Sequence, residues 1–162
     1  MSADFILAQD ILSQGHQAQQ SLIPMQLNAL LFLTVKYAVI KQPPDLNLDL
    51  IQQVIGHNFY VWRYGIIDQP VYDHYRIYCT YPITENWERQ PSSLFLPLQP
   101  FLQTVFQRTW DAFALVRLCH QDAFYQRFAA QITGWRSTIN CTYADFCQTD
   151  GTYLQTLLGK TA

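Results

Sequence analysis

The stretch "PMQLNALLFLTVKYAVI", residues 24–40, decides the fold class. Pro24 sits where a helix can start without losing a needed N–H. Leu27, Leu30, Leu31, Thr34, Val35 and Ala38 then follow the i, i+3, i+4, i+7, i+8, i+11 spacing of one helix face. Phe32, Leu33, Val39 and Ile40 fill the other side, so this helix is expected to be central and buried almost all round. "KQPPDLN" ends it, because two prolines cannot continue a helix. Its apolar part, "ALLFLTVKYAVI", is too short to span a bilayer and contains Lys36.

Working outward from this centre, residues 3 to 14 read as a first helix with Phe5, Ala8 and Leu12 along one face, followed by the polar "SQGHQAQQS", a loop or frayed helix. On the other side Asn47 is positioned to cap a short helix, "LDLIQQVIG", with Gly56 as its stop. Gln69 to Tyr75 reads as helical after a turn at Gly65. "CTYPITENWERQPSSLFLPLQP" is mostly irregular, with a short extended piece expected at "RIYCTY". Helix resumes around Pro100 to Gln107, Asp111 can cap "AFALVRLCH", and another helix runs from about Asp122 to Gln131. Thr142 and Asp145 match a capping box that starts a last helical stretch. The expectation is a mainly α chain, one compact domain over 1–162, with six to eight helices and room for a minor strand pair.

The 162 residues suit one domain with a continuous core, and 49% hydrophobic residues predict a folded state. Only 14% are charged, against roughly 25% in an average globular protein. Aromatics reach 15%, a balance that fits either a partner-binding surface or a large aromatic core. A net charge of −2 argues against binding a phosphate backbone, so nucleic acid is not an expected partner. "MSADFILAQD" lacks the basic n-region of a signal peptide, and with no spanning segment a cytoplasmic protein is expected. Cys79, Cys119, Cys141 and Cys147 include no C-x-x-C pair. They are expected to be buried small hydrophobes, with no disulfide, metal or cofactor.

Three segments in order resemble the Panacea antitoxin domain family, a phage-associated protein family. "MQLNALLFLTVKYAV" is similar to the family's opening buried helix at Leu27, Leu30, Leu31 and Phe32. "VWRYGIIDQPVYDHY" resembles its A-W-x-Y-G-P-V signature at Trp62, Tyr64 and Gly65, with Pro70 and Tyr72 extending the likeness. "DAFALVRLCHQDAFY" is similar to its L-x-x-L-T-H-x-E/D-x-x-W segment at Leu115, Leu118, His120 and Asp122, and "STINCTYADF" to its closing run. The chain departs from the pattern at Ala29 (usually Lys), Ile66 (Pro), Cys119 (Thr) and Phe124 or Tyr125 (Trp), as a divergent member would. The resemblance implies an antitoxin, or a phage- or mobile-element-encoded immunity or inhibitor protein, that binds a partner protein such as a toxin encoded next door.

Two constellations bear on function. In "VWRYGIIDQPVYDHYR", residues 61–76, Gly65 permits a turn that a Cβ would penalise. Trp62 and Tyr64 are expected to pack there as architecture. Tyr72 and Tyr75, on the following helix, are expected at the surface, where with Arg76 they form the candidate partner-binding residues. In "CHQD", a His120–Asp122 couple with Cys119 would be the centre of a small enzyme. Adjacent helical residues point about 100° apart, however, and no electropositive setting for a thiolate is evident. The structural reading makes His120 a helix end, bonding the last carbonyls or approaching Asp122, which caps the next helix. No G-x-S-x-G, H-E-x-x-H, P-loop or Rossmann pattern occurs, so no catalytic residue is assigned. Seven arginines against three lysines, dispersed along the chain, suit solvated positions or contact with an acidic partner.

Overall fold

The computed structural model describes residues 1–159 and follows the helical expectation. Helix α1 spans Ala3–Gln17, α2 Pro24–Lys41 and α3 Leu48–Ile55. A two-stranded antiparallel hairpin follows, β1 (Phe59–Trp62) and β2 (Gly65–Asp68), then α4 (Gln69–Tyr75) and α5 (Gln99–Phe106). The chain continues through α6 (Ala112–Cys119), α7 (Ala123–Phe128), α8 (Tyr143–Gln148) and α9 (Leu154–Leu157). Short 3₁₀ turns lie at Arg76–Tyr78, Ser93–Leu98 and Ala129–Gln131.

The greasy stretch at residues 24–40 is the axis of the domain. Leu27, Leu30, Leu31, Phe32, Leu33, Val35 and Ala38 of α2 are buried, and α1, α3, α4, α6, α8 and β2 all pack on this one helix. Its burial on every side removes a large apolar area from water, the dominant favourable contribution to folding. Leu115 and Leu118 of α6 join the same core. Local capping chemistry sets the element boundaries. Asn47 accepts N–H bonds from Asp49 and Leu50, Asp111 from Phe113 and Ala114, and Asp122 from Phe124. Thr142 and Asp145 form the expected reciprocal capping box of α8. Gly65 pairs with Trp62 at the hairpin end with φ +133°, and a Cβ there would meet Cys119 Cβ at 3.4 Å.

Three expectations are corrected. The extended pair is Phe59–Trp62 with Gly65–Asp68, while "RIYCTY" forms a 3₁₀ turn and bends. The "FYVWRYGIID" hairpin forms instead because β2, buried along its whole length, lies against α2 and α6. The last helical stretch breaks at Thr149, whose backbone is extended, so nine α-helices occur among the described residues. Cys79 and Cys147 are exposed, and only Cys119 and Cys141 behave as core residues.

The 79–98 segment wraps over α1, which buries polar as well as apolar side chains. Arg89 bonds the Gln9 side chain, Ser13 Oγ donates to the Arg89 carbonyl, and Ser92 N donates to Asp10 at 2.8 Å. Burial pushes the Asp10 carboxyl up to about 6, against the opposing Ser92 hydrogen bond and Arg89 charge. On its outer edge β1 is covered by irregular backbone rather than a third strand. Val61 N donates to Ile139 O, Arg63 N to Trp135 O, and Cys141 N to Phe59 O. That contact carries Trp135 to the hairpin.

Candidate functional site

The hairpin, α4 and the 135–141 backbone converge on a cluster of rings. Trp62, Tyr72 and Trp135 meet pairwise at 5.2–5.4 Å between centroids, all edge to face. The Arg136 guanidinium lies 4.4 Å from the Trp62 ring, 5.3 Å from Tyr72 and 4.9 Å from Trp135. Asp73 holds it there through a 2.9 Å ion pair. Beside this cluster lies an apolar pocket of about 150 Å³, bordered by Pro24 and Met25 of α2, by the three rings, and by Tyr64 and Arg76. Burial raises the Tyr72 phenol, while the charges of Arg136 and Arg76 oppose that shift.

Two groups in the pocket wall lack the partners they are built for. Asn28 is 2% exposed, and its Nδ2 donates to the Pro24 carbonyl at 2.8 Å. That bond fixes the amide orientation and leaves Oδ1 without a donor. Arg76 is exposed and has no carboxylate partner among the described residues.

The candidate partner-binding residues are only partly brought together. Tyr72 and Arg76 both border the pocket. Tyr75 is fully buried instead, its hydroxyl donating to Asn86 at 3.0 Å, because the 84–90 segment folds back over α4. Tyr64, expected as architecture, is 42% exposed at the hairpin tip, whereas Trp62 is buried as expected. Trp135 and Asn28 went unread in the sequence. A tryptophan in the polar run "TGWRST" was a usable signal; Asn28, inside a leucine-rich helix, offered a weaker one.

"CHQD" divides into two unconnected roles. His120 forms the C-cap of α6 as expected, but its Nε2 bonds the Arg63 carbonyl at 3.1 Å and its ring stacks on Tyr125 at 4.2 Å. Burial lowers the His120 imidazole, with the Arg63 carbonyl opposing. Asp122 faces the core and caps α7. Tyr153 donates to it at 2.6 Å and Lys36 Nζ stands 3.6 Å away. Neither His120 nor Asp122 hydrogen-bonds the other. Burial first, and the Asp122 charge second, push the Cys119 thiol well up, the opposite of what a nucleophile requires.

Lys36 is the least expected residue of the core. It is fully buried, and its ammonium donates to the carbonyls of Phe146 and Thr149 at 2.8 and 3.0 Å and to the Thr149 hydroxyl. Desolvation lowers its pKa, and Asp122 opposes that shift. A second buried polar pair joins Asp4 in the first turn of α1 to Asp68, the N-cap of α4. Asp68 Oδ1 accepts from Val71 N, and Oδ2 finds no N–H or hydroxyl donor. Burial, followed by the adjacent Asp4 carboxyl, pushes Asp68 up to about 9, so Asp68 keeps its proton at neutral pH. Among the described residues no group of three potential ligands is placed to hold a metal ion, and no helix is long and apolar enough to cross a membrane.

No family model, curated protein or solved structure matches the chain.

Proposed function

We propose that the protein is a non-enzymatic protein-binding domain acting in the cytoplasm. It holds its partner on the face formed by the hairpin tip, the 76–81 turn and Trp135. The observation that carries this reading is that two rings bordering one pocket stay outside, Tyr64 at 42% and Trp135 at 40% exposure, beside a turn whose Ile77 and Tyr81 are 75% and 72% exposed. Exposed rings next to an uncompensated arginine are the usual anchors of an interface. The ordered likeness to the Panacea motifs supports a finer reading. In it the partner is a toxin encoded next door, and the domain is its antitoxin or a mobile-element-encoded inhibitor. Trp62, Gly65, Leu115 and Leu118 then act as scaffold, while Tyr64, Tyr72 and Arg76 meet the partner.

Co-expression with the neighbouring gene product, scored by growth and by pull-down, tests this. Tyr64→Ser combined with Trp135→Ser should abolish capture and protection, because hot spots concentrate binding energy in a few rings. A folded His120→Ala variant should protect as wild type does. Protection at sub-stoichiometric dose that vanishes with His120→Ala alone would overturn the binding reading in favour of catalysis, where loss of a general base costs about 10²- to 10⁴-fold.

A further inference from the structure

The pocket beside the aromatic cluster is chemically more specific than a greasy interface. Its volume of about 150 Å³ is that of a cavity that admits one benzene-sized ring. Two walls are the indole of Trp62 and the phenol of Tyr72, and Trp135 closes a third side. Such walls favour the edge or face of another ring over an aliphatic chain. The Asn28 side chain also lines the wall, but its amide oxygen is enclosed and offers no surface to a ligand. No acidic residue borders the pocket, and its one ionic group is the unpaired Arg76. The positive end of the α2 dipole, at Pro24 and Met25, adds to that sign.

We infer that this pocket binds a single-ring aromatic carboxylate, with the ring against Trp62, Tyr72 and Trp135 and the carboxylate on Arg76. A guanidinium suits this task because it presents a planar fork to both carboxylate oxygens. The site takes an indole poorly, since its volume holds one ring. The same chemistry comes from two sources, a free aromatic acid or the C-terminal tyrosine of a polypeptide. The inference rests on the recognition role proposed for this face and names what the pocket within it selects.

The test is titration of the whole chain, followed by the indole N–H signals of Trp62 and Trp135 in NMR spectra. The probes are 4-hydroxyphenylacetate, phenylacetate, 4-hydroxyphenylacetamide, and the peptide Gly-Gly-Gly-Tyr with a free or an amidated C-terminus. 4-Hydroxyphenylacetate and phenylacetate should both shift the two indole signals saturably, with affinity about tenfold lower for the uncharged amide. Arg76→Gln, at an exposed position, should reduce affinity for the acid about tenfold and leave the amide unchanged. Tighter binding of the free-ended peptide than of the small acid assigns the source to a chain end, and the reverse order assigns it to a free acid. Absence of saturable shifts with every probe, or an amide that binds as tightly as the acids, overturns the inference. Capture of the neighbouring gene product in the presence of that negative result would leave the protein-binding reading standing.

Discussion

Replacing Asp68 by asparagine should make the protein more stable at neutral and alkaline pH. Asp68 is fully buried, caps α4 through Val71 N and lies beside the buried Asp4 carboxyl. Its carboxyl is raised from 3.8 to about 9, so the folded protein keeps a proton that the unfolded chain has released by pH 5. A raised folded-state pKa contributes stability that is fully present below the unfolded value and is lost as pH rises through the folded one. Here the loss runs from about pH 4 to about pH 9. One extra proton bound on folding gives a slope of about −1.4 kcal/mol per pH unit, or about 4 kcal/mol between pH 5 and pH 8. Asparagine keeps an acceptor for Val71 N and supplies N–H to Asp4 without titrating, so this part of the slope should vanish. Urea unfolding of wild type and Asp68→Asn at pH 5, 6, 7 and 8 measures the difference directly. The contribution of Asp10, raised to about 6, is common to both proteins and cancels. Parallel stability curves, or a variant less stable than wild type at pH 8, would refute the retained-proton account.

Gly65→Val should destabilise by roughly 1–3 kcal/mol, since φ is +133° and Cys119 Cβ stands 3.4 Å from the site of a new Cβ; the thermal midpoint reads it. Tyr75→Ala should cost about 3–5 kcal/mol, because a fully buried ring is lost with its bond to Asn86, and an unchanged urea midpoint would count against that burial. Lys36→Met should cost about 3–5 kcal/mol by leaving Asp122 buried without its cation. Adding Asp122→Asn, which retains a side-chain cap for α7, should restore part of that loss in the same denaturation assay. Of the four cysteines, Cys79 and Cys147 should react rapidly with a thiol reagent in the native protein, and Cys119 and Cys141 only on unfolding.

Where neighbouring residues settle a conformation, the sequence was readable. The caps at Asn47, Asp111, Asp122 and Thr142 declare themselves by residue type and spacing, and α4 occupies Gln69–Tyr75 as its pattern indicates. The leucines of α2 reveal a buried axis because no solvent-facing stripe interrupts them. What the chain conceals depends on segments far apart in sequence. Tyr75 is covered by residues about ten positions on, in a region with no helical period, so its burial has no local signal. Trp135 reaches Trp62 only because residues 135–141 run beside β1. Lys36 looks like a polar interruption of an apolar helix until Phe146 and Thr149 supply their carbonyls. The motif residues of "CHQD" are adjacent on paper, yet a helix end lies between them and turns His120 and Asp122 toward different partners.

The grip of Lys36 on the end of α8 has a consequence for the order of events at the ribosome. The lysine is made some 110 residues before the carbonyls that receive its protons. Until they emerge, α2 cannot be enclosed without stranding an ammonium group in apolar surroundings, a state that is costly to reach. The axis of the domain therefore stays open to water while α1 to α7 are already synthesised. Final closure waits for Thr149, so α1 to α8 close as one unit rather than in stages along the chain.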